Sequence, residues 1–195
     1  MAVILPKIKV RRGDFPGNQI LIQLPDLQEF EKTFMSADEA SGQTVLSVVS
    51  GTNFAANEYV VIENPGNDQA ELRLVSSSTS TTITVSVATD YAHTRGTIVR
   101  FIPFNRLQIQ DDTVSTFASA TTTTVALRVD AFQTFWEDID GAAGTYYRAR
   151  FEHQQGVRYS SYSDTTIATG LADNTVFAIK QRALRSVGHK IGELE

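Results

Sequence analysis

Short runs of β-branched and aromatic residues, several of them alternating apolar with polar positions, fill the first two thirds of the chain. TVLSVV (44–49), YVVIE (59–63), AELRLV (70–75), TITVSV (82–87), TIVRFI (97–102) and LQIQ (107–110) each have the length and pattern of a strand. Turn-forming residues separate them at Ser50 to Asn53, Asn64 to Asp68 and Ser76 to Thr81. Six short strands so spaced predict a small β-barrel or sandwich over residues 37–110, near the lower size limit for a unit that folds by itself.

The threonine-rich stretch DDTVSTFASATTTT (111–124) reads as a strand edge or linker into a second β unit spanning 111–168, with VALRV (125–129) as its first clear strand. DAFQTFWEDIDGAAG (130–144) reads as an aromatic loop with an acidic patch, Trp136 being buried among Phe132, Phe135 and Ile139. TYYRARFEHQQGVRYSSYSD (145–164) is a hairpin around Gly156. Alternation puts Tyr147, Ala149 and Phe151 on one face, and Tyr146, Arg148 and Arg150 on the other, which should meet water. Tyr147 stands where a sandwich has a tyrosine corner, its hydroxyl tied to nearby backbone.

The ends differ from the middle. KIKVR alternates Ile8 and Val10 with Lys7, Lys9 and Arg11, so it is a strand with one face to bury, but no partner strand is evident nearby. Residues 1–36 therefore read as an arm, and an unpaired strand within it invites pairing with another chain. Asp26 and Glu29 have capping-box spacing and Leu27, Phe30 and Phe34 helical spacing, which predicts a short helix over 25–34. DNTVFAIKQRALRSVG (173–188) predicts a longer one within a C-terminal helix and tail, 169–195: Asp173 caps it, Val176, Ile179, Ala183 and Val187 form a narrow stripe, and Gly188 stops it. Phe177 and Leu184 flank that stripe, and Lys180, Arg182 and Arg185 form a basic set. Two apolar flanks and a cationic face point to docking on a neighbouring subunit, the alternative being a helix packed on its own sandwich.

Composition sharpens this picture in two places. The 195 residues carry a net charge of −5, yet residues 1–15 hold four basic side chains against one acid and residues 173–195 four against three, leaving −9 for residues 16–172. An acidic body argues against direct nucleic-acid binding. Basic ends on such a body suit contacts between copies. With no cysteine, disulfides and thiolate metal sites are excluded. No apolar run approaches membrane-span length, and the charges of MAVILPKIKVRR follow its apolar residues, the reverse of a secretory signal, so a soluble chain without a membrane partner is expected.

Candidate chemistry is sparse. His93, His153 and His189 lie in a turn, at a strand end and beyond a helix stop, and no H-E-x-x-H, G-x-S-x-G, Walker or G-x-G-x-x-G pattern occurs. Glu137, Asp138 and Asp140 lack the spacing of a calcium loop. The RGD tripeptide at Arg12 to Asp14, followed by Pro16 and Gly17, is explained as a turn. Trp136, Tyr159 and Tyr162 make a thin platform for stacking on sugars. No catalytic residue, metal ligand or cofactor is expected.

Two passages carry a resemblance. SGQTVLSVVSGTNFAANEYVVIENPGNDQAELRLV (41–75) with YAHTRGTIVRF (91–101) resembles the small β domain of tailed-bacteriophage virion proteins. The 145–164 hairpin is similar to the last two strands of fibronectin type III-like modules, which accompany that domain in phage structural proteins. The resemblance implies a mainly β chain: a small barrel or sandwich, then a fibronectin type III-like sandwich, then the helix. It implies a non-enzymatic virion subunit of the neck, head-tail connector or tail, packed copy to copy in a ring or other symmetric assembly beside portal, tail or capsid proteins. A carbohydrate- or receptor-binding module is the alternative. The partner-binding residues expected are Lys7, Ile8, Lys9, Val10, Arg11, Phe177, Lys180, Arg182, Leu184 and Arg185.

Overall fold

A computed structural model describes residues 5–12, 17–24, 27–28, 30–155 and 158–169. Those residues are mainly β and contain no helix. In chain order the strands are β1 (Lys7–Arg12), β2 (Asn18–Gln23), β3 (Lys32–Phe34), β4 (Val45–Ser47), β5 (Tyr59–Ile62), β6 (Glu71–Ser78) and β7 (Thr82–Val85). They continue with β8 (Ile98–Ile102), β9 (Arg106–Asp112), β10 (Thr121–Ala126), β11 (Gln133–Asp138), β12 (Tyr146–His153), β13 (Arg158–Tyr159) and β14 (Thr166–Ile167). The predicted helix over 173–188 and its tail lie outside the described residues.

Six strands pair antiparallel in the order β3-β8-β5-β6-β7-β4. The sheet closes on itself where Met35 bridges Val48, with Val49 N–H donating to the Phe34 carbonyl at 2.8 Å and Ser36 N–H to that of Ser47 at 2.9 Å. Closure leaves this barrel without a free edge. Its interior is filled by Met35, Leu46, Val48, Phe54, Val60, Ile62, Val75, Ile83, Val85 and Val99, as a barrel this narrow requires. Gly51 lets the 50–53 turn press on the neighbouring hairpin, because a Cβ there would sit 2.3 Å from the Thr79 carbonyl oxygen and 2.6 Å from that of Thr82.

The membership differs from the sequence expectation at both ends. Residues 32–34, expected to close a helix, are barrel strand β3, and Leu27 is buried in the core rather than placed on a helical stripe. LQIQ, expected as the last barrel strand, belongs to β9 and pairs with β10 and β12 in another sheet.

That other sheet runs β10-β9-β12-β13, with β14 also beside β12, and a third sheet runs β1-β2-β11. The two bury one core between them: Ile20 and Ile22 from β2, Leu107 and Ile109 from β9, and Tyr147, Ala149 and Phe151 from β12 are all fully buried. Residues 7–12 and 18–23 are thus two strands of a sandwich, not an arm awaiting another chain; β1 pairs with β2 from Lys7↔Gln23 to Arg12↔Asn18. The expected aromatic loop contains β11, which pairs with β2 from Gln133↔Gln23 to Asp138↔Asn18. The barrel is inserted between the second and third strands of the sandwich.

The barrel wall also contributes to the sandwich core. Tyr59, Val61 and Ile102 are buried there, and Leu72 and Leu74 pack against them. β5 is therefore covered on both faces, Val60 and Ile62 by the barrel interior and Tyr59 and Val61 by the sandwich. This is why YVVI is apolar throughout instead of alternating.

On β12 the expected faces hold: Tyr147, Ala149 and Phe151 are inside, and Arg148 and Arg150 are opposite. Phe151 stacks on Phe104 with ring centroids 5.4 Å apart. Phe151→Ala should lower unfolding free energy by about 3 to 5 kcal/mol, read from the denaturant midpoint. A midpoint that barely moves would show that this face is not the core.

Candidate interaction surfaces and buried polar sites

The N-terminal strands place the first set of expected partner-binding residues. Ile8 and Val10 turn toward the sandwich core with Ile20, Ile22 and Trp136. Lys7, Lys9 and Arg11 turn outward and are exposed. Register aligns Lys9, Leu21 and Phe135 in one row across the outer face, and Arg11, Gln19 and Glu137 in the next. Phe135 is 50% exposed, and beside β11 Phe132 and Ile139 are 70% and 69% exposed. The sequence expectation that Phe132, Phe135 and Ile139 enclose Trp136 is reversed: the indole is half-buried against the core, and its three neighbours face solvent. Phe135 and Ile139, with Leu21 between them and the basic side chains of β1, make an open apolar patch on this face, whereas the Phe132 ring lies over Gly66 of the barrel. Phe177, Lys180, Arg182, Leu184 and Arg185 lie outside the described residues.

Tyr147 is fully buried, but its hydroxyl does not form the expected backbone tie. It donates to Asp138 Oδ2 at 2.6 Å and accepts from Asn18 Nδ2 at 2.7 Å. Asn18 Nδ2 also donates to the Ala142 carbonyl at 2.9 Å. The bonds go to side chains because the ends of β2 and β11 converge on this tyrosine, and a Cβ on Gly141 would lie within 2.7 Å of all three polar groups. Burial and the Asp138 carboxylate push the Tyr147 phenol well above its ordinary range. Burial, with Asp138 and Asp112 as like charges, likewise raises Asp111. Asp138 of the acidic patch, with Asn18 and Tyr147, thus fastens β2, β11 and β12 together.

Inside one end of the barrel, Glu71 and His93 form a second buried polar site. Glu71 alternates with the outward Leu72 and is 3% exposed. Its carboxylate meets His93 Nε2 at 2.9 Å, accepts the backbone N–H of Asp90 at 2.9 Å and of Tyr91 at 3.0 Å, and pairs with Arg73. Burial alone would raise its pKa. The His93 bond, the two backbone donors and Arg73 outweigh that and hold it below the ordinary glutamate value. The His93 side chain is 0% exposed, so the pair fastens the 89–97 segment to the barrel rather than meeting a solvent-borne reactant. At the opposite junction His153 Nε2 lies 3.2 Å from Glu58 Oε2, and Arg158 Nη2 bonds both Glu58 oxygens at 2.7 and 2.8 Å. These contacts tie β12 and β13 to the barrel at the foot of β5.

The other sequence candidates fall apart in space or are reassigned. Glu137 faces out of β11 while Asp138 turns to Tyr147, and no group of three metal-ligating side chains occurs among the described residues. Gly13 and Asp14 of the RGD tripeptide lie outside the described residues, as does His189. Tyr159 and Tyr162 flank Arg150 instead of forming an open platform.

A depressed carboxyl fixes the sign of an acid effect. Glu71 releases its proton more readily folded than unfolded, so its contribution is complete above the ordinary glutamate range and is lost as pH falls through and below that range. The stability gap between the wild-type chain and Glu71→Gln should be widest near neutral pH and narrow between about pH 5 and 3 in urea midpoints taken across that interval. A gap that is constant or widens with acid would contradict the assignment.

Comparison with protein-family models, with curated proteins and with solved structures returns no match.

Proposed function

We propose that the chain is a non-enzymatic structural subunit of a tailed-phage particle, placed at the neck, head-tail connector or tail, and that it works by packing copy to copy in a symmetric assembly. The observation that carries this reading is the outer face of β1-β2-β11. There Leu21 and Phe135, with Ile139 alongside, stand exposed or half-exposed beside Lys7, Lys9 and Arg11. The barrel has the opposite balance, with eight acidic against four basic side chains over residues 31–104. A basic, apolar face on one unit and an acidic surface on the other fit a head-to-tail contact between copies, the kind that closes into rings. The pairing of a small barrel with a sandwich ending in β12 and the 158–167 edge supports the fibronectin type III-like reading of the second unit. Portal, adaptor, tail or capsid proteins are the neighbours such an assembly would meet.

Phe135→Glu and Lys9→Glu lie on the outer face and should leave the melting temperature nearly unchanged, within about 0.5 kcal/mol of stability. The wild-type chain is expected to form a discrete ring in sedimentation and negative-stain images, and each substitution to shift it to monomer. A wild-type chain that stays monomeric at every concentration, or rings that survive both substitutions, would overturn this contact.

A further inference from the structure

The outer face of β12 carries two arginines in an arrangement that the assembly contact does not use. Arg148 lies 4.1 Å from the ring centroid of Phe117 and 4.1 Å from that of Tyr162. Arg150 lies 3.8 Å from Tyr159 and 4.7 Å from the same Tyr162. Rings and guanidinium groups therefore alternate in one stack, Phe117, Arg148, Tyr162, Arg150, Tyr159. The 159–163 segment is set for this by its serines: Ser160 Oγ accepts the Phe151 N–H at 2.9 Å and Ser163 Oγ the Ala149 N–H at 3.0 Å. Fixing both serines on the edge of β12 brings Tyr159 and Tyr162 over its outward face.

Each guanidinium is also held within its plane. Gln110 Oε1 accepts from Arg148 Nε at 2.8 Å, and Gln108 Oε1 accepts from Arg150 Nε and Nη2 at 2.9 and 2.8 Å. Glutamine aims an arginine without neutralising it. Among the described residues neither arginine has a carboxylate within 4 Å, although the chain is acidic as a whole and Glu152 is the next outward position on β12. Both guanidinium groups are held rigidly, on either side of the Tyr162 ring, and the Nη groups of Arg148 make no hydrogen bond to a described residue. A guanidinium with free N–H pairs in a fixed plane is prepared for bidentate binding of an oxyanion.

The surroundings narrow the ligand class. Phe117 and Tyr162 are covered by guanidinium groups, so the stack offers little ring surface for bases. Tyr159, 39% exposed, caps one end of the stack, and Thr122 and Thr124 present hydroxyl groups next to the glutamines. Oxyanion donors beside amides and hydroxyls match an acidic polysaccharide. We propose that Arg148 and Arg150 form a binding site for the carboxylate or sulfate groups of such a saccharide, independent of the face used between copies.

The test is fluorescence anisotropy with labelled hexasaccharides: heparin-derived, carrying sulfate and carboxylate; alginate-derived, carrying carboxylate alone; and dextran-derived, neutral. At least one acidic probe should bind and the neutral one should not. Binding of both acidic probes assigns carboxylate as sufficient, and binding of the heparin probe alone assigns sulfate. Arg148→Gln with Arg150→Gln should weaken the affinity at least tenfold, whereas replacing Lys7, Lys9 and Arg11 by glutamine should leave it within twofold. The guanidinium N–H resonances of Arg148 and Arg150 in the wild-type chain should shift on titration, a readout that stands even if the double variant fails to fold. Absence of binding by both acidic probes, affinity that survives loss of both arginines, or shifts confined to the Lys7, Lys9 and Arg11 face would each overturn the site.

Discussion

Tyr59 and Val61 point away from the barrel interior, yet both are buried, because the sandwich core closes over them. This contact makes barrel and sandwich one packed body. The barrel requires a wall at β5, and the sandwich requires apolar cover between its two sheets; four residues, Tyr59 to Ile62, meet both demands at once. Burying a strand on both faces removes the freedom to polarise either one, so a charge anywhere in YVVI would be stranded without water. The connection through chain order is equally strict. β2 precedes the barrel and β9 follows it, so the inserted barrel must return the chain to the sandwich within reach of the strands it left.

Polar ties fasten the places where apolar packing is thin. The Tyr147 hydroxyl joins Asn18 and Asp138, pinning β2 and β11 onto β12 at the edge of the shared core. Glu71 and His93 close the barrel end, and Glu58 holds His153 and Arg158 across the junction. Glu71 is satisfied by several donors, which is what a buried carboxylate needs if it is to remain charged. The same chemistry seen from outside is different on β12: there the arginines are oriented by neutral glutamines and rings, and their charge stays available.

Local pattern was readable where one strand carries its own evidence. YYRARF alternates cleanly, and its inward residues are all fully buried. What covers the outward face was not readable, because alternation separates faces without naming their neighbours; water was expected where Tyr159, Tyr162 and Phe117 stack. β2 was missed because ILI runs apolar on both faces and its partner β11 lies more than a hundred residues later. β11 is hidden for a related reason. Thr134 and Trp136 face the core while Phe135 faces out, so its most apolar positions do not share a face. Glu71 sits in AELRLV, where a charge ordinarily marks the solvent side; only His93, far along the chain, shows that this position is internal. Long-range partners decided every one of these positions, and a single strand cannot announce them.

Native-state hydrogen exchange on the dilute chain tests the shared core most directly. If β1 and β2 are integral to the sandwich, amides of β2 should open with the same free energy and the same denaturant dependence as those of β12, because both lose one core together. If β2 instead exchanges almost freely while β12 stays protected, the N-terminal strands are an appendage and the sandwich stands without them.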